Sequence, residues 1–115
     1  MHELSIMQSV LHQVSEETRK AGSTKVHEIR LRVGTLSGVV AEALQFAFEA
    51  VAPGTPAEGA KLTIETVPAR FWCDDCRSEF ASPDMLAECP QCHKFSRELR
   101  AGRELELAAL EVESA

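Results

Sequence analysis

The sequence predicts an α+β fold: a three-stranded mixed sheet with two helices, plus an inserted zinc-ribbon-like module built on four cysteines. Three patterns predict it. Two stretches repeat their apolar residues at helical spacing, three alternate apolar and polar residues, and all four cysteines fall between residues 73 and 92. A chain of 115 residues holds one small domain, or one with a satellite. With 5% aromatic residues and no Tyr, its core is aliphatic and modest, the situation in which a metal or a disulfide often supplies part of the stability.

The first helix is expected over residues 6–21. Ser5 and Gln8 fit a capping box, Ile6, Met7, Val10, Leu11 and Val14 make an apolar stripe, and Gly22 is a stop. In the next stretch Ile29, Leu31 and Val33 alternate with Glu28, Arg30 and Arg32, a half-exposed strand ending near Gly34. Residues 39–51 then place Val40, Ala43, Leu44, Ala47, Phe48 and Val51 on one helical face before Pro53. Residues 62–67 alternate again and form the second strand.

The last strand, around residues 104–113, contains a phase reversal. Leu105 and Leu107 are at odd positions, Leu110 and Val112 at even ones. A regular strand would turn half of these side chains to water, so a β-bulge is expected at Ala108-Ala109.

The cysteines read Cys73-x-x-Cys76, twelve residues, then Cys89-x-x-Cys92. Each pair can close on one ion, and four thiolates complete the tetrahedron of Zn(II), leaving no position for water. That marks a structural site. The lack of a basic, apolar leader at Met1-His2-Glu3 suggests a cytoplasmic protein, where disulfides are disfavoured. A redox pair would instead need a single Cys-x-x-Cys at a strand-to-helix junction. His93, directly after Cys92, is a solvent-facing turn residue, a donor to a sulfur, or a substitute ligand if a thiolate is displaced. Lys94, Arg97, Arg100 and Arg103 form a sparse basic run.

The amino terminus offers a second metal site. The free amine of Met1 and the amide nitrogen of His2 close a five-membered ring, and that amide with His2 Nδ1 closes a six-membered one. Glu3 adds a fourth donor through its amide or carboxylate. Nitrogen donors in a plane suit Ni(II) or Cu(II) better than Zn(II). Amine and amide must lose their protons, so such binding weakens in acid.

Charge limits the remaining functions. Twelve Lys and Arg stand against 18 Asp and Glu, a net charge of −6, which opposes general nucleic-acid binding. No apolar run approaches the ~18 residues of a membrane span. A nucleophile–base pair and a phosphate-binding glycine loop are both absent from the pattern, so no enzyme activity is expected.

Met1-His2-Glu3 followed by Ser5-Ile6, Arg32-Val33-Gly34, Phe46-Ala47-Phe48-Glu49, Glu58-Gly59-Ala60-Lys61-Leu62 and the two cysteine knuckles together resemble the HypA/HybF family. The resemblance runs from Met1 to about Glu113. It implies a nickel metallochaperone of [NiFe]-hydrogenase maturation that carries Ni(II) at Met1, His2 and Glu3 and a structural Zn(II) at Cys73, Cys76, Cys89 and Cys92. It also implies the GTPase HypB and the hydrogenase large subunit as partners, with urease served by some members. The expected organisation is a nickel-binding unit of residues 1–69 and 101–115 and a zinc-binding unit of residues 70–100, in a monomer or weak dimer. Beyond the triplet, the stretch near Val39-Val40 offers Glu42 as its carboxylate. The competing expectation is a zinc-ribbon adaptor that binds protein or nucleic acid, with His2 incidental.

Overall fold

The computed structural model describes residues 2–82 and 86–114. In chain order the elements are α1 (His2–Lys20), β1 (Val26–Gly34), α2 (Ala41–Val51), β2 (Lys61–Val67), β3 (Arg70–Cys73), β4 (Ser78–Ala81), β5 (Glu98–Ala101) and β6 (Leu105–Val112). They build two three-stranded sheets, β2-β1-β6 and β4-β3-β5.

The first sheet is mixed, as expected. β1 runs parallel to β2, with α2 as the crossover, and antiparallel to β6. Ile29, Leu31 and Val33 of β1 are buried against Met7, Leu11 and Val14 of α1 and Leu44, Ala47 and Phe48 of α2. The opposite face is charged: Arg32 bridges Glu65 on β2 and Glu106 on β6 at 3.5 and 3.2 Å. Exposed pairs of this kind contribute little to stability, and the apolar face dominates.

The bulge falls where the phase reversal places it. Arg30 pairs with Ala109 while Leu31 pairs with Leu107, so Ala108 is left over. The extra residue lets both Leu107 and Leu110 pack against the core.

Helix α1 corrects one expectation. It begins at His2 instead of after Ser5, so the Ser5–Gln8 capping box does not form. Leu4 packs on the same core as Met7 and Leu11, one turn earlier, and that packing carries the helix past the local cap signal. Glu3 then stands in the first turn, where a carboxylate is favourable.

The cysteine segment is also more ordered than its polar composition suggests. Cys73 ends β3, and β3 pairs with both β4 and β5 to make an antiparallel sheet. The rings of Phe71 and Phe80 stack at 5.9 Å, and Arg100 lies 4.4 Å over the Trp72 ring.

The two sheets meet at a close backbone crossing. Gly34 donates its N–H to Glu104 O at 2.7 Å, and Leu36 donates to Gly102 O at 2.6 Å. Ala69 N–H reaches Thr35 Oγ1 at 3.1 Å.

Candidate metal centre

Cys73 arrives at the end of β3, Cys76 follows in the tight turn toward β4, and Cys89 and Cys92 come from the turn before β5. In both knuckles the residue after the second cysteine has left-handed backbone: Arg77 has φ 52° and His93 has φ 65°. That conformation tightens each turn so that backbone N–H groups face sulfur. Cys76 N–H points at Cys73 Sγ, 3.5 Å away. The second knuckle is closed by Cys89 N–H to Lys94 O and His93 N–H to Cys89 O, both 2.9 Å.

The four sulfurs converge. Cys73 and Cys92 Sγ are 3.5 Å apart, Cys76 and Cys89 Sγ 3.9 Å apart, and all four lie within 4.8 Å of one another. An ion bound at about 2.3 Å by four thiolates needs sulfurs about 3.8 Å apart. The donor set therefore fits a tetrahedral thiophilic ion. Among the described residues it is also the one cluster of three or more His, Cys, Asp or Glu side chains suited to a metal.

Electrostatics divides the thiols. Backbone N–H groups of Cys92 and Gln91 aimed at the Cys89 sulfur hold its thiol down to about 6, favouring the thiolate form. Burial, followed by the sulfurs around it, pushes Cys76 up to about 12. Its proton leaves only when a cation replaces it.

The surrounding residues clarify the other sequence candidates. His93 is well exposed, its Nδ1 3.9 Å from the Glu88 carboxylate, so it is a turn residue facing solvent. The basic run is partly neutralised internally: Lys94 pairs with Asp75, and Arg100 pairs with Glu98 while covering Trp72. Phe71, Phe80 and Trp72 are the functional scaffold that sequence reasoning missed. The signal was present in Phe71-Trp72 next to Cys73, but four-residue strands are too short to show a period.

At the amino terminus, Met1 lies outside the described residues. His2 has a side chain 65% exposed, and its Nδ1 is 3.9 Å from a Glu3 carboxylate oxygen. Glu42 is exposed in the first turn of α2 and forms no ion pair among the described residues.

Two helices on a mixed sheet, interrupted before the last strand by a four-thiol module, define a small α+β metal-binding protein. The family model described as hydrogenase/urease nickel incorporation, metallochaperone, hypA matches residues 1–112. The chain belongs to this HypA family. Curated relatives include the hydrogenase maturation factor HypA of Picosynechococcus sp., 46% identical over 112 residues that span 97% of this chain and 99% of the relative. That of Roseiflexus sp. is 47% identical over 114 residues, 98% of this chain and 93% of the relative. The solution structure of the Ni metallochaperone HypA from Helicobacter pylori superposes with a TM-score of 0.69 at 22% identity, covering 98% of both chains. A second solution structure of a HypA protein gives 0.71 at 24% identity over 100% of this chain and 98% of that one. These two likenesses support the fold alone.

Proposed function

We propose that this chain is a nickel carrier of [NiFe]-hydrogenase maturation: Met1, His2 and Glu3 take up Ni(II) and release it to a partner, while Cys73, Cys76, Cys89 and Cys92 hold a structural Zn(II). The end-to-end family match carries this reading. The start of α1 supports its chemistry. Backbone N–H groups in the first turn of a helix have no acceptor within the helix, so the amides of His2 and Glu3 are not committed to helical hydrogen bonds. The imidazole beside them is open to solvent. An exposed chelate of amine, amide and imidazole can both load and unload, because few of its bonds are buried.

The zinc unit, residues 70–100, would be permanent, and residues 1–69 with 101–115 would form the nickel unit. A closed tetrathiolate offers no open coordination position, so the zinc unit supplies no catalytic water, in keeping with a cytoplasmic carrier that catalyses no reaction of its own. HypB and the hydrogenase large subunit are the proposed partners.

Titration of untagged protein with nickel, beside His2→Ala and a variant carrying one extra residue before Met1, tests the reading. Both variants should lose tight nickel binding while zinc stays at one per chain. Bound nickel should be planar and diamagnetic. Unchanged nickel affinity in His2→Ala refutes the chelate.

A further inference from the structure

The four cysteines are unequally reachable from solvent, and the inequality follows a pattern. Cys73 and Cys89 are buried, 5% and 2% exposed, whereas Cys76 and Cys92 are half-buried. Two close approaches each join one of either kind. Cys73 Sγ lies 3.5 Å from Cys92 Sγ, and Cys76 Sγ lies 3.9 Å from Cys89 Sγ. Both pairs span the two knuckles. Along the chain, the Cys76–Cys89 pair is nested inside the Cys73–Cys92 pair, three residues in at either end. Both pairs can therefore be joined at once without the links crossing.

Other contacts of the module do not pass through sulfur. Strand β3 pairs with β4 and β5 through its backbone, Phe71 stacks on Phe80, and Arg100 covers Trp72. Lys94, after the second knuckle, pairs with Asp75 in the first. A covalent link between the knuckles would take over the cross-linking role of a bound ion and leave this framework standing. A link inside either Cys-x-x-Cys turn would leave the two knuckles unjoined.

We propose that the module is a peroxide-sensitive switch. Hydrogen peroxide oxidises Cys92 and Cys76, the buried Cys73 and Cys89 resolve them, and the zinc is exchanged for the nested disulfides Cys73–Cys92 and Cys76–Cys89. The switch rests on the reading of these residues as a zinc site, in which the bound ion keeps each sulfur as a thiolate, the reactive form. In each pair the half-buried thiolate attacks one peroxide oxygen. The O–O bond breaks, the sulfur becomes a sulfenic acid, and hydroxide leaves and takes a solvent proton to become water. The buried thiolate then attacks that sulfur, so the S–S bond forms, the S–O bond breaks, and a second hydroxide leaves as water. One peroxide is reduced and two thiolates are oxidised per pair, so two peroxides convert the module. After the first disulfide only two thiolates remain, too few to complete a tetrahedron, and zinc is released. A dithiol reductant reverses the exchange. In a reducing compartment such disulfides are transient and serve sensing instead of scaffolding.

The test uses the full zinc-loaded chain, titrated with hydrogen peroxide while a chromophoric chelator reports free zinc. Zinc should fall from one per chain to none as two equivalents are consumed, with the circular dichroism retained. Dithiothreitol with added zinc should restore the starting state. Trypsin cuts after Arg70, Arg77 and Lys94, which puts each knuckle on its own peptide, residues 71–77 and 78–94. In the oxidised protein these peptides should be joined, and fragmentation should give Cys73–Cys92 and Cys76–Cys89. Dimedone, which traps sulfenic acids, should label Cys76 and Cys92 when present during oxidation. Separate peptides, each with an internal disulfide, overturn the inference. So do zinc retained in excess peroxide, sulfinic acid at Cys76 and Cys92 without disulfides, or dimedone on Cys73 and Cys89 instead. A reduced chain that never holds zinc refutes the zinc reading. The nested bonds, formed in that chain, would still uphold the thiol pairs, and their absence would end both.

Discussion

Replacing Gly34 by Ala should unseat the cysteine module from the first sheet. A Cβ built on Gly34 would lie 2.1 Å from both the carbonyl carbon and oxygen of Gly102 and 2.6 Å from Arg103 N. Ordinary contact begins at 3.4 Å, so the two segments must part by about 1.3 Å. The obstacle is backbone and cannot swing aside as a side chain would. Separation on that scale breaks the hydrogen bonds Gly34 N–H to Glu104 O and Leu36 N–H to Gly102 O. At about 1 kcal/mol each, with a further ~1–3 kcal/mol for overpacking, the loss is about 3–5 kcal/mol. For a chain of this size that lowers Tm by roughly 12–20 °C. Thermal unfolding of the zinc-loaded protein by circular dichroism measures it. A Gly34→Ala protein melting within about 2 °C of the wild type would refute the reasoning, since the backbone crossing would then be dispensable.

Two further outcomes are expected. Cys76→Ser should drop zinc content from one per chain to none and alter Trp72 fluorescence, because binding energies of ~10–16 kcal/mol in comparable small sites imply that the module folds around its ion. Retained zinc would count against a structural role. Thr63→Val should raise the Glu28 carboxyl toward the ordinary range, since the Thr63 hydroxyl donates to it at 2.6 Å and holds it low, with Arg30 and Lys61 adding to the effect. A depressed folded value means that the bond stabilises the protein above the normal carboxylate range and that this stability is lost as pH falls through the folded value. Denaturant stabilities of the two proteins should therefore differ at neutral pH and converge in acid. A Glu28 titration unmoved in the variant, followed by NMR, would contradict this.

Much of the fold could be read from residue patterns. The alternation of Ile29, Leu31 and Val33 and the stripe Met7, Leu11, Val14 revealed the first sheet and its helical cover, because burial on one face imposes a period directly. The reversal between Leu107 and Leu110 located the bulge at Ala108. Cysteine spacing pointed to the four sulfurs that converge, since each Cys-x-x-Cys turn can bring two thiols onto one point. The sheet β4-β3-β5 was not legible. Its stabilising contacts, such as Arg100 over Trp72 and the Ser96 hydroxyl donating to Trp72 O at 2.5 Å, join residues more than 20 positions apart. The early start of α1 was missed because Ser5 looks like a cap and only packing of Leu4 against the core decides otherwise.

Residue order was enough to specify the element types of the first sheet and its helices, the face each buries and which four thiols could share one ion, because these follow from short-range periodicity and ligand chemistry. What separate parts of the chain do together emerged only on folding. Gly34, expected merely to end a strand, became the point where two backbones cross too closely for any Cβ, and Arg100 was brought over the Trp72 ring. Both depend on contacts between segments distant along the chain, and such contacts leave no local period to read.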